Sequence, residues 1–172
     1  PLYYAKNLYV NGAKIEELVI PDSVTSIGNY AFDSCSSLTS ITLPDSVTSI
    51  GEDAFCDCNR LISITIPDST TITDSKTSIG DYTFYYCSSL ATVRFPKCTS
   101  IGNFAFGYCS KLSKIYLGAS TVCSLATSNV FYSTSIGSTK GSIYVPSSLV
   151  ASYKAATNWT YFSNRIYSYA FS

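Results

Sequence analysis

Seven cysteines and no histidine set the chemical possibilities of this chain. Thiolates bind zinc or close disulfides, and Cys56-Asp-Cys58 has the spacing of half a metal site. Without histidine, however, the commonest general base and a frequent metal ligand are both missing. Pro-Asp-Ser recurs at 21–23, 44–46 and 67–69. Each copy ends an apolar run, so it reads as a turn rather than an acid–nucleophile pair. The remaining carboxylates are scattered, and neither Gly-x-Gly-x-x-Gly nor a P-loop occurs. The sequence therefore predicts no catalytic residue, no bound metal and no cofactor, and hence no enzyme.

Four of the cysteines belong to a longer phrase. Ile27, Ile50, Ile79 and Ile101 each stand in Ser-Ile-Gly and lead to Phe32, Phe55, Phe84 and Phe106. Cys35, Cys58, Cys87 and Cys109 follow, then Leu38, Leu61, Leu90 and Leu112. Each unit closes on an alternating pair: Ile41/Leu43, Ile64/Ile66, Val93/Phe95 and Ile115/Leu117. Successive spacings are 23, 29 and 22 residues. Repeats of this length are the signature of stacked coils.

Leu-x-x-Ile-x-Leu ends in strict alternation, a short strand with two side chains on one face. Pro44, Pro67 and Pro96 stop it, because proline cannot donate to a ladder. Gly28, Gly51, Gly80 and Gly102 predict a tight corner. Asn29, Asp81 and Asn103 then read as N-caps of a single helical or 3₁₀ turn over Ala-Phe-x-x-Cys. Val-Thr-Ser-Ile predicts a second short extended piece. One unit alone leaves its apolar face and strand edges uncovered, and neighbours must cover them. The cysteine column then falls where a small apolar side chain is wanted, and it reads as buried thiols. Parallel side chains on coils that spread apart on this side are poorly aimed for bridging. Seven is odd, which also argues against a fully paired framework. The states of Cys56, Cys98 and Cys123 stay open.

The ends depart from the phrase. Leu8 to Ile15 encloses Asn11-Gly12, a type I′ hairpin signal leading into a half-unit that ends at Ile20-Pro21. Residues 119–141 read as a long irregular passage before Ser142-Ile-Tyr-Val-Pro146 restates the strand. Ser147 to Ala156 predicts a capped helix of two to three turns, with Trp159, Phe162 and Ile166 closing the last coil. Tyr3, Tyr4, Tyr9, Tyr153, Tyr161, Tyr167 and Tyr169 read as end-capping side chains with a wet hydroxyl.

These residues resemble the BspA-like branch of the leucine-rich repeats, whose consensus is Ser-Ile-Gly-x-x-Ala-Phe-x-x-Cys-x-x-Leu-x-x-Ile-x-Leu-Pro. The likeness runs from about Leu8 to Tyr167. It implies a β-rich α/β solenoid, a right-handed coil of short parallel strands and single helical turns, with an N-terminal hairpin cap and a C-terminal helical cap. The organisation expected is a single leucine-rich repeat domain over 1–172: cap and half-coil at 1–25, four repeats at 26–118 with an insertion near 70–77, and an atypical coil and cap at 119–172. Family members are mostly surface or secreted proteins of host-associated bacteria and some mucosal protozoa, several implicated in adherence. In a bacterial chain the Asn158-Trp-Thr160 sequon would be idle.

The resemblance implies an extracellular or cell-surface location and binding to host or partner-cell proteins, without naming a ligand. Glycan binding is the alternative, suggested by fifteen tyrosines, and a structural spacer in a larger surface protein is a third. Eleven basic and eleven acidic residues cancel, so no global field draws in nucleic acid. No apolar run is long enough for a membrane helix. With no Met and Pro1 in first place, Pro1 reads as a cut, a processing site or the edge of order, and no signal peptide is visible. Two outward columns are expected on the strands, Glu17, Ser40, Ser63, Thr92, Lys114, Ser142 and Val19, Thr42, Thr65, Arg94, Tyr116, Tyr144. Their later members, Arg94, Lys114, Tyr116 and Tyr144, are the candidate ligand-binding residues, since Arg and Tyr predominate at binding hot spots. The insertion Thr70–Thr77 is a second candidate, as a loop on a rigid scaffold.

Overall fold

A computed structural model describes residues 8–65, 77–138 and 140–170. The first element is a hairpin of β1 (Leu8–Val10) and β2 (Ala13–Ile15), paired antiparallel with Val10 opposite Ala13. Asn11 and Gly12 both have positive φ (51° and 80°), as a type I′ turn requires. The coils then lay down β3 (Glu17–Val19), β4 (Ser26–Ile27), β5 (Ser40–Thr42), β6 (Ser49–Ile50) and β7 (Ser63–Thr65). Next come β8 (Thr77–Ile79), β9 (Thr92–Phe95), β10 (Cys98–Ile101), β11 (Lys114–Leu117) and β12 (Ser124–Leu125). β13 (Ser142–Pro146) and β14 (Ile166–Tyr169) finish the chain. Even-numbered strands β4 to β12 form one parallel sheet. Odd-numbered strands β3 to β13, with β14 added at the end, form a second, seven-stranded one.

The inward apolar positions stay aligned from coil to coil. Leu18, Ile41, Ile64, Val93, Ile115, Ile143 and Ile166 stand side by side across the larger sheet. Ile27, Ile50, Ile79, Ile101 and Leu125 do so across the smaller one. The alternating strand and the second extended piece are thus both present. The first two Pro-Asp-Ser copies are turns, with Val24 N–H donating to Pro21 O at 3.0 Å and Val47 N–H to Pro44 O at 3.2 Å; the third, 67–69, lies outside the described residues. Most of the insertion lies outside the described residues. Its last member, Thr77, opens β8 with its hydroxyl donating to Val47 O at 3.1 Å.

Where the spacing predicts a single helical turn, the first four coils instead make a run of hydrogen-bonded turns. Amides alternate between two partners. Ala31, Asp33 and Cys35 donate three residues back within their own coil, to Gly28, Tyr30 and Phe32. Tyr30, Phe32 and Ser34 donate across to Glu52, Ala54 and Cys56 of the next coil at 2.8–2.9 Å. The pattern repeats at Asp53, Phe55 and Asp57, and again at Tyr82, Phe84 and Tyr86. A helix would turn all these amides inward along its own axis. Here half of them zip the coils together, and left-handed residues at Tyr30, Asp53, Tyr82 and Phe104 (φ 50–58°) permit the alternation. Ser34, Asp57, Tyr86 and Tyr108 are left-handed as well (φ 55–59°). Only in the last coil is this segment 3₁₀, at Ser128–Phe131.

The expected N-caps also serve between coils. Asn29 Oδ1 accepts from Glu52 N–H at 3.1 Å and Asp81 Oδ1 from Asn103 N–H at 2.7 Å. The glycines before them do not need a special backbone angle, since among the described glycines positive φ occurs only at Gly12. Space is the reason. A Cβ on Gly80 would lie 2.7 Å from Glu52 N and Gly51 C, and one on Gly102 2.4 Å from Asp81 N and Gly80 C. Gly28 opens the series and has nothing within 4 Å.

The phenylalanines form one spine. Phe32, Phe55, Phe84, Phe106 and Phe131 stack with centroids 5.2–5.8 Å apart and planes within 12°. Phe131 comes from the passage that reads as irregular, which places Leu125, Phe131, Ile143 and Val145 in the same buried columns as earlier coils. Beyond it, the predicted helix is a 3₁₀ turn (Ser147–Leu149) running into α1 (Val150–Ala155), with no side-chain cap. Trp159, Phe162 and Ile166 are buried, and both rings pack on Phe131. This cap also satisfies the free edge of β12. Tyr153 Oη accepts from Cys123 N–H at 2.9 Å and Trp159 Nε1 donates to Cys123 O at 2.6 Å. Asn158 Nδ2 donates to Leu125 O and Ala126 O, so the sequon asparagine is a structural donor.

Candidate functional site

Alternation along a strand fixes the open face. With Leu18-type residues inward, their neighbours must point out. Glu17, Ser40, Ser63, Thr92, Lys114 and Ser142 align in one row. Val19, Thr42 and Thr65 align in the other, which continues with Arg94, Tyr116 and Tyr144. Both rows follow the order expected. β14 extends the second by Tyr167, which pairs with Tyr144.

The early coils present hydroxyls, and the last ones gather aromatic rings. Tyr116 and Tyr144 stack at 4.7 Å with planes 12° apart. Tyr169 lies edge-on to Tyr116 at 5.0 Å, and Tyr167 tilts against Tyr144 at 6.1 Å. The Arg94 guanidinium sits 5.6 Å from the Tyr169 ring centre and donates to its hydroxyl at 3.4 Å. Three of the four candidate residues, Arg94, Tyr116 and Tyr144, are thus one cluster. Lys114 stands exposed on the same face in the neighbouring row. Tyr167 and Tyr169 read in the sequence as end caps; parallel pairing of β14 makes them part of this surface instead. Tyr153, also expected with a wet hydroxyl, is fully buried, and Tyr3 and Tyr4 lie outside the described residues.

A second aromatic surface occupies the turn side. Tyr86 and Tyr108 stack at 4.6 Å, and Tyr82 and Phe104 at 5.6 Å. Tyr85 lies edge-on to all four, and Tyr132 continues the strip from Phe104 and Tyr108. Gly107 makes room: a Cβ there would lie 2.8 Å from the Tyr85 ring. Tyr132 also borders a depression of about 450 Å³ shared with Ser138 and Tyr161. The readable signal is aromatic residues two before and two after the spine phenylalanine in the third and fourth coils, which no single repeat reveals.

The cysteine column is occupied by free thiols. Three of the four are aimed at a carbonyl of the preceding coil: Cys58 Sγ donates to Phe32 O at 3.2 Å, Cys87 to Phe55 O at 3.1 Å and Cys109 to Phe84 O at 3.0 Å. The coils do not spread on this side as expected, since main-chain bonds such as Phe32 N–H to Ala54 O at 2.8 Å and Phe84 N–H to Ala105 O at 2.8 Å hold them together. Burial pushes all three thiols well above their ordinary pKa, which suppresses the thiolate. Cys56 faces outward beside Asp57 and is likewise raised, by burial first and then by Asp57, Asp53 and Asp33. Among the described residues no group of three or more Cys, Asp or Glu is placed to hold a metal. No helix among them is long and apolar enough to cross a membrane.

Comparison with known proteins agrees with this geometry. The family described as BspA type Leucine rich repeat region matches in six copies over residues 4–77 and 68–172. A T. pallidum leucine-rich repeat protein is 27% identical with a TM-score of 0.63, over 75% of this chain and 58% of that one. The pneumococcal vaccine antigen PcpA shares the fold at 18% identity and a TM-score of 0.52, over 81% of this chain and 42% of its own. A leucine-rich cell surface protein of Faecalibacterium prausnitzii matches at 24% identity and a TM-score of 0.45, over 76% and 48%. The chain spans about half the length of these solved proteins. No curated protein matches it. Six copies over nearly the whole chain, with one register and one spine, make it a member of the BspA-type leucine-rich repeat family.

Proposed function

We propose that the chain is a non-catalytic, extracellular protein-binding module that engages host or partner-cell surface proteins through the C-terminal end of its open strand face. The observation that carries this reading is the Tyr116–Tyr144–Tyr169 cluster with Arg94 laid against it and Lys114 beside it. Stacked rings on a rigid sheet offer contact area with little side-chain entropy to lose, and Arg and Tyr dominate binding hot spots. Two cations and no acid among these five residues suit a partner segment with carboxylates next to apolar side chains. The test is capture of the purified chain by immobilised matrix proteins and cell-surface extracts. Combined Arg94→Ala, Tyr116→Ala and Tyr144→Ala should weaken capture at least tenfold while circular dichroism stays unchanged. Undiminished capture by the folded triple variant removes the patch.

Glycan binding is supported by a different observation, the six-ring strip on the turn side and the depression it runs into. Exposed tyrosine faces stack on the C–H faces of sugar rings. A glycan array separates the two readings: hits lost with Tyr86→Ala and Tyr108→Ala, but kept in the strand-face triple variant, support the turn side.

A further inference from the structure

Of the three cysteines outside the column, two meet. Cys98 Sγ and Cys123 Sγ are 3.0 Å apart, both side chains are fully buried, and both are free thiols. Their other contacts are long, to Ser100 O at 3.6 Å and Ser124 O at 3.8 Å. The column thiols of Cys58, Cys87 and Cys109, by contrast, hold a carbonyl at 3.0–3.2 Å. The backbone brings the pair together by a local irregularity. β8 and β10 pair Thr77 with Cys98 and Ser78 with Ser100, so Thr99 is one residue too many. β12 pairs Ser124 with Ser100. Cys123, directly before Ser124, therefore comes level with Cys98 across that bulge. Adjacent strands lie about 4.8 Å apart, and disulfide-bonded Cα pairs typically lie about 4.4–6.8 Å apart.

We propose that Cys98 and Cys123 are a disulfide site, closed during folding by a small-molecule or protein disulfide acting as oxidant. One thiol, as thiolate, attacks a sulfur of the oxidant and releases its first thiol, leaving a mixed disulfide on the chain. The second thiolate attacks that cysteine sulfur, forms the Cys98–Cys123 bond and expels the oxidant's second thiol. Two protons and two electrons leave the protein, and the oxidant takes up both electrons. The order of events follows from burial. Tyr153 and Trp159 clamp the backbone of Cys123 and cover the pair, so exchange belongs to the stage before that cap docks. Afterwards the pair is shielded, and the thiol of Cys123 is pushed far up by Cys98 and by burial. The bond would tie the fourth coil to the last one at the point where the cap binds.

The experiment is refolding of the whole chain in a buffer of reduced and oxidised glutathione, with a reduced control. The oxidised product should lose the mass of two hydrogens, and after denaturation five of the seven cysteines should alkylate. Non-reducing peptide mapping should join the Cys98 segment to the Cys123 segment. Cys98→Ala and Cys123→Ala should each abolish the link. Cys109→Ala, which shares a tryptic segment with Cys98, should keep it. Full alkylation of all seven thiols after refolding overturns the proposal, and so does a link through any column cysteine. Mass and mapping are read on the wild-type chain, so a variant that fails to fold does not obscure the result. The outcome is independent of what either face binds.

Discussion

Replacing Gly102 by alanine tests why the coils repeat a glycine. The new Cβ would lie 2.4 Å from Asp81 N and from Gly80 C, both backbone atoms of the neighbouring coil. No side-chain rotation relieves such contacts, so the third and fourth coils must part by about an ångström, an overpacking cost of about 1–3 kcal/mol. Parting also stretches the 2.7 Å bond from Asn103 N–H to Asp81 Oδ1, a charged hydrogen bond worth about 1.5–3 kcal/mol. Gly28→Ala is the control. It sits at the same place in the phrase with nothing within 4 Å, and loss of unfolded-state entropy should stabilise it by about 0.4–1 kcal/mol. The two variants should therefore differ by roughly 3–5 kcal/mol, or about 6–20 °C in melting temperature for a chain of this size. Urea and thermal unfolding followed by far-ultraviolet circular dichroism measure this. If Gly102→Ala and Gly28→Ala unfold within about 0.5 kcal/mol of each other, the steric account is wrong and the glycines serve the turn itself.

Phe84→Ala should cost about 3–5 kcal/mol as a fully buried rung. Phe32→Ala, at the half-buried end of the spine, should cost clearly less; equal losses in urea titrations would argue against stacking as the source. Trp159→Phe removes the donor to Cys123 O, so it should destabilise by about 1–3 kcal/mol, whereas Tyr161→Phe on an exposed ring should change little by the same measurement. Asp53 and Asp57 are raised above their ordinary 3.8, first by burial and then by neighbours that include Asp33. A raised carboxyl holds its proton more tightly when folded, so its contribution is full at low pH and is lost as pH climbs from 3.8 upward. Asp33→Asn should therefore match wild type in acid and gain stability over it as pH rises toward neutrality; a difference that stays flat with pH would refute the repulsion.

How legible a coil is depends on which atoms hold it to its neighbours. On the strand side main-chain ladders join the coils too, but the inward side chains fill the core, so Ile41, Ile64, Val93 and Ile115 must stay apolar, and both outer rows can be assigned from alternation. On the turn side the coils are joined by main-chain bonds such as Phe55 N–H to Thr83 O. Any residue can make these, so nothing in Ala-Phe-x-x-Cys distinguishes this ladder from a helical turn. The glycines mark a constraint without saying whether it is angle or space, and only the neighbour's backbone decides. The last coil is hidden in the sequence because Leu125 and Ala126 replace Ile and Gly and Thr134 replaces Cys, substitutions that preserve packing while erasing the phrase. The same logic governs function. Outward positions are released from the stacking constraint, so they leave no repeated signature to read. What betrays them is a change along a row: Thr42 and Thr65 giving way to Arg94 and Tyr116, or Gly107 appearing where Tyr85 needs a place to lie. In a solenoid the repeated letters report the fold, and a task must be sought where a row stops repeating.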